Sequence, residues 1–168
     1  EFLMDFGRVL RYPLKTIATS CVFWHRFYMR ECIHDWDSQM VLMACLFLAG
    51  KIEDTPRKFI DLLNLRARYM LRKENKSDAG FVDYSMNDDY FEQVRDKVFD
   101  VESALLNVLE WQFCLRHPYE YGMSAIKLLF GRQPEQPSAP LALQIRELAF
   151  HMWLLIHDSF LTTVCFEY

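Results

Sequence analysis

From Met40 to Gly50 the chain reads MVLMACLFLAG, a run without one polar side chain, and it stops at Lys51. At about 100° per residue, apolar side chains land on every side of such a helix, so it has no face to give to water. It can be stable only with other helices packed around it. The run is too short to span a bilayer, which needs about 20 apolar residues, so the burial it demands is inside protein. Asp37 or Ser38 can cap its start, and the helix is expected to reach about Glu53. This segment therefore predicts a bundle with one helix at its centre, and it leaves a cation at that helix's far end.

The flanking segments supply the surrounding helices. Phe2, Phe6, Val9 and Leu10 are spaced for a short helix ending near Pro13, with the sequence expected to be cut within or just before that helix. A second helix is expected from Pro13 to about Cys32. Proline sits at its opening position, and Ile17, Cys21, Trp24 and Tyr28, widened by Ala18, Val22 and His25, form its buried stripe. Thr55 followed by Pro56 reads as the cap and first residue of a fourth helix, continued by Phe59, Leu62, Leu63 and Leu65. From Lys73 to Asp89 the sequence is polar and aperiodic, the segment expected to be most mobile. A fifth helix should run from about Asp89 to Glu110. Six prolines and five glycines in 168 residues are too few for the many turns of a β domain. The fold class read from these patterns is all-α.

In the fifth helix Val94, Val98, Val101, Leu105 and Leu109 define the buried stripe, and Glu102 lies about 40° from Val98, inside that stripe. An unpartnered carboxylate there would be costly to bury, so it needs a cation, amide donors or a partner surface. Beyond it, WQFCLRHPYEY is a connector, and helical patterning restarts after His117-Pro118. A further helix spans about Leu141 to His157, after the proline-rich loop GRQPEQPSAP. The expected division is a first domain over 1–116 and a partial second one over 117–168.

A net charge of −4 and a pI near 5.7 argue against a broad nucleic-acid surface. Arg66, Arg68, Arg72, Lys73 and Lys76 form a local basic cluster, read as a solvated helix end. The five cysteines are widely spaced, with no CxxC pair, so neither a disulfide framework nor a zinc site is suggested. Cys21 and Cys45 lie in apolar runs and read as packing residues. The sequence contains no HExxH, GxSxG or glycine-rich phosphate loop, and Ala49-Gly50-Lys51 follows a helix where a phosphate loop requires a strand. No catalytic residue, metal site, cofactor or small-molecule substrate is therefore assigned.

Taken together, FLMDFGRVL, TIATSCVFWHRFYM, MACLFLAGKIEDTPRK and VFDVESALLNVLEWQFCLRHPYEY resemble the cyclin family. They are most similar to its transcriptional members of the T and K types, with the L and Q types as near relatives; HDSFLTTVCFEY is similar to a stretch of the second cyclin box. The resemblance implies a five-helix cyclin box about a central apolar helix, followed by the start of a second box. It also implies a cyclin-dependent kinase as partner, activated to phosphorylate the RNA polymerase tail, and hence a nuclear protein. By the same resemblance Lys51 and Glu102 contact the kinase, Phe47 and Trp111 add apolar area, and Asp54 stands at the rim where the family often has glutamate. Two other readings stay open on sequence alone. Lys51 and Glu102 can form an internal salt bridge that only holds the bundle, or the fold can serve as a scaffold for nucleic acid or other proteins.

Overall fold

The computed structural model describes residues 2–73, 83–130 and 139–162, and the described residues form seven helices without a strand. In chain order these are α1 (Phe2–Val9), α2 (Leu14–Arg30), α3 (Ser38–Ile52), α4 (Phe59–Lys73), α5 (Asp89–Val108), α6 (Pro118–Phe130) and α7 (Ala139–Ser159). They fall into two units, Glu1–Phe113 and Cys114–Tyr168. No described helix is long and apolar enough to cross a membrane.

In the first unit α3 takes the central place its sequence requires. It packs against α1, α2 and α5, and every residue from Met40 to Gly50 is buried except Phe47. Asp37 caps its start by accepting a hydrogen bond from the Gln39 amide at 2.8 Å. Cys45 is fully enclosed, and desolvation pushes its thiol well above the ordinary value, consistent with a packing role.

α2 buries Ile17, Ala18, Cys21 and Val22 as expected, but the rest of its buried arc differs from the expected stripe. Phe23 and Phe27 are completely enclosed, with Thr16, Thr19 and Ser20, whereas Trp24, His25 and Tyr28 are only half-buried. The helix touches α1, α3 and α5, so the buried arc is set by three neighbours and not by a single apolar row. Pro13 is the N-cap residue, one position earlier than expected. In α1, Leu3, Phe6 and Gly7 face inward, while Val9 is exposed. A Cβ on Gly7 would come 2.5 Å from Ile17 Cγ1, so glycine sets how closely α1 can approach α2.

The start of α4 also departs from the reading of Thr55-Pro56. The helix begins at Phe59, and the Thr55 hydroxyl is hydrogen-bonded to that of Thr16 at 2.9 Å. Its polar atom ties the end of α3 to α2 instead of capping the next helix. Arg57 lies in the intervening segment and donates to the carbonyls of Leu10 and Arg11, at 3.0 and 2.9 Å. The expected mobile loop falls mostly on 74–82, outside the described residues. At its far end Asn64 holds Tyr84, accepting from the Tyr84 amide at 2.8 Å.

Tyr12 is packed against Gly50 with its hydroxyl buried and without a hydrogen-bond partner. Desolvation pushes its phenol up to about 12. Because the folded value lies above the ordinary 10.0, this group leaves stability untouched below that pH and removes it as pH rises toward 12, where the unfolded chain ionises first. Tyr28, also raised to about 12, acts with the same sign. Tyr12→Phe is expected to raise neutral-pH stability by about 1 kcal/mol, because it removes an unsatisfied buried hydroxyl. Chemical denaturation across the alkaline range should also show a smaller loss for the variant.

In the second unit α6 opens at Pro118, the helix position where a missing N–H costs least. α6 packs on α7; Tyr119 and His157 meet at 3.3 Å between hydroxyl and Nδ1, and Trp153 lies over His157 with ring centroids 4.0 Å apart. The expected loop over 131–140 is described only from Ala139, where α7 already begins; Gly131 and the residues after Thr162 lie outside the described residues.

Candidate functional site

Where α3 ends, the chain leaves its surrounded core and meets the middle of α5. Lys51 Nζ lies 2.5 Å from Glu102 Oε1 and 4.4 Å from the centroid of the Phe47 ring. The two charges differ in setting: 44% of the Lys51 side chain is exposed, against 11% for Glu102. Glu102 Oε1 is enclosed, and its contact with the ammonium is a short charge pairing. An ammonium has three donors, and the exposed side of Lys51 can offer them to another molecule.

Aromatic rings form the floor beside this pair. Phe47 stacks on Phe99, with centroids 6.3 Å apart and planes 18° from parallel, and Phe59 meets both edge-on or tilted. Phe91 adds a fourth ring against Phe59. Phe99 is 41% exposed, so the surface offers an apolar patch next to a charged pair. Sequence reasoning missed Phe99 because it lies off the valine–leucine stripe of α5. Its signal was the spacing to Glu102, one helical turn away on a shared face.

The expected site residues are thus brought together only in part. Lys51, Glu102 and Phe47 are one cluster. Asp54 sits just past α3 with a left-handed φ of 53°, and the Thr55 amide reaches back to the Gly50 carbonyl at 2.8 Å. That is the Schellman way of closing a helix, with aspartate where glycine is usual. A short acid tolerates this backbone better than glutamate would, which accounts for the residue found. Asp54→Gly is expected to raise stability by about 0.5–1 kcal/mol by relieving the strain. If its carboxylate also reaches a partner, calorimetric titration will show weaker binding by a better-folded protein.

Trp111 stands apart from the cluster. It follows α5, 66% exposed, and its described ring neighbour is Phe113. Glu110 and Trp111 both have left-handed φ, 51° and 60°. Arg30 from α2 secures this turn, donating to the Val108 carbonyl at 3.0 Å and pairing with Glu110 at 2.6 Å. Two residues of the basic cluster are engaged locally, Arg66 donating to the Tyr90 hydroxyl and Arg68 pairing with Asp83, while Lys76 lies outside the described residues. Among the described residues, no group of His, Cys, Asp and Glu could hold a metal ion.

Comparison with known proteins bears on what this surface meets. The sequence model of the family described as cyclin, N-terminal domain, matches residues 1–114. Cyclin-T1-5 of Arabidopsis thaliana is 29% identical over 99% of this chain and 26% of its own length. Cyclin-T1-3 of Oryza sativa subsp. japonica is 30% identical over 99% of this chain and 31% of its own. Cyclin-K of Homo sapiens is 28% identical over the whole chain and 25% of its own. The chain thus spans about a quarter to a third of the length of these curated relatives.

Proposed function

Because the chain belongs to the cyclin family, whose members are non-catalytic regulatory subunits, we propose that the Lys51–Glu102 surface seats the amino-terminal lobe of a cyclin-dependent kinase. The observation that carries this reading is the pairing of a half-exposed ammonium with a nearly buried carboxylate beside the exposed ring of Phe99. Such an edge suits protein recognition: backbone carbonyls and amides of a partner give register to the charges, and Phe47 and Phe99 supply area. Asp54, next to the end of α3, extends this surface at its margin, and Trp111 is a separate apolar contact in the same reading.

The mechanism is a population shift. A kinase samples conformations in which its mobile helix is swung out or in, and only the latter aligns the lysine–glutamate pair that holds ATP. A cyclin that binds the swung-in form better raises its population and does no chemistry itself. Residues 117–168 are read as part of a second cyclin box, on the resemblance of their sequence to one. Relatives named cyclin T and cyclin K favour a transcriptional kinase, the RNA polymerase tail as its substrate and the nucleus as location.

The experiment is to mix the chain with purified transcriptional cyclin-dependent kinases and follow phosphorylation of a polymerase-tail peptide. Stimulation above kinase alone supports the proposal; no association with any of them contradicts it.

A further inference from the structure

The end of α3 is held by an internal polar network that the kinase reading does not use. Glu53 is the last residue of that end, and only 11% of its side chain is exposed. Its carboxylate receives Lys15 Nζ at 2.8 Å on one oxygen and the Thr19 hydroxyl at 2.7 Å on the other. One turn away on the same face of α2, Thr16 bonds Thr55. Thr16 and Thr19 have no solvent exposure at all.

This is an expensive way to end a helix. A carboxylate at a C-terminus faces the negative end of the helix dipole, and drawing it out of water adds a desolvation cost. An apolar side chain of similar length would fill the space at lower cost. What the ions supply instead is a direction. Two oxygens held by two donors on α2 fix the rotation and height of the last turn of α3, and Lys51 projects from that turn.

We propose that Glu53, with Lys15 and Thr19, is a positioning residue for kinase docking: it holds the last turn of α3 so that Lys51 meets both Glu102 and the kinase in register. The inference rests on the kinase reading of Lys51. Glu53 touches no partner in this account. Its effect on binding passes through Lys51.

The test is a double-variant cycle on the whole chain, read as kinase affinity by calorimetry. Glu53→Gln keeps the length and an acceptor for Thr19 but loses the charge pairing with Lys15. It is expected to weaken binding about tenfold in the wild-type background and less than about twofold when Lys51→Ala is already present, the non-additivity of residues that act as a unit. An equal factor in both backgrounds would show a merely structural role and overturn the proposal while leaving the kinase reading intact. Unchanged affinity in Lys51→Ala itself would overturn both. Should Glu53→Gln fail to fold, Thr19→Val against Thr19→Ser gives the same comparison. The serine variant, which keeps the hydroxyl, is expected to restore affinity; failure to do so counts against the proposal.

Discussion

Lys51→Ala is expected to lower kinase affinity by on the order of 30-fold to 3,000-fold, the range that follows from truncating one member of a buried charge set at an interface. The free chain should tolerate the same change far better. Lys51 is 44% exposed, so water screens its own side of the pairing, and the folding cost of losing it falls on the carboxylate left behind. What the substitution leaves behind is a nearly buried carboxylate lacking its cation, a cost of about 1–3 kcal/mol and a modest fall in unfolding midpoint. Adding Glu102→Ala should recover part of that stability without recovering affinity. The internal-bridge reading makes the opposite forecast: a sharp loss of melting temperature in either single variant, with binding preserved. Fluorescence melting and a binding isotherm on the same samples separate the two.

Phe27→Ala is expected to destabilise the first unit by about 3–5 kcal/mol, a large share of the stability of a domain this size. Phe27 is completely enclosed, with the rings of Tyr28 and Trp36 against it at centroid distances of 5.3 and 5.5 Å. Removing it leaves a cavity that the surrounding helices cannot close. Trp24→Ala should cost clearly less although it deletes a larger side chain, because Trp24 is only half-buried. Urea denaturation compares them, with the midpoint of Phe27→Ala displaced to much lower denaturant. The reverse order would mean that the buried stripe of α2 runs through Trp24 and Tyr28 after all.

These two variants also mark where the sequence was transparent and where it was not. The central place of α3 follows from its composition alone, since no partial burial satisfies a helix apolar on all sides. Glu102 was legible for a related reason: a carboxylate inside an apolar stripe demands an explanation at the level of spacing. Phe23 and Phe27 were not singled out, because one apolar row was traced along a helix that in fact has three neighbours. The Thr55-Pro56 signal was locally sound and was outcompeted by Thr16, thirty-nine positions away. Glu53 was invisible for the same cause, its partners lying on a different helix. Local chemistry reports what a residue can do, and long-range packing decides which of those options is taken.

The most direct test of the kinase-docking surface is site-specific photo-crosslinking. A photoreactive phenylalanine analogue at Phe99, which is exposed beside the charged pair, is expected to join the chain to the amino-terminal lobe of a transcriptional cyclin-dependent kinase in the assembled complex. The same analogue at Met29, exposed near the end of α2, should not. A kinase adduct from position 29 and none from position 99 would put the partner on another face and contradict the account.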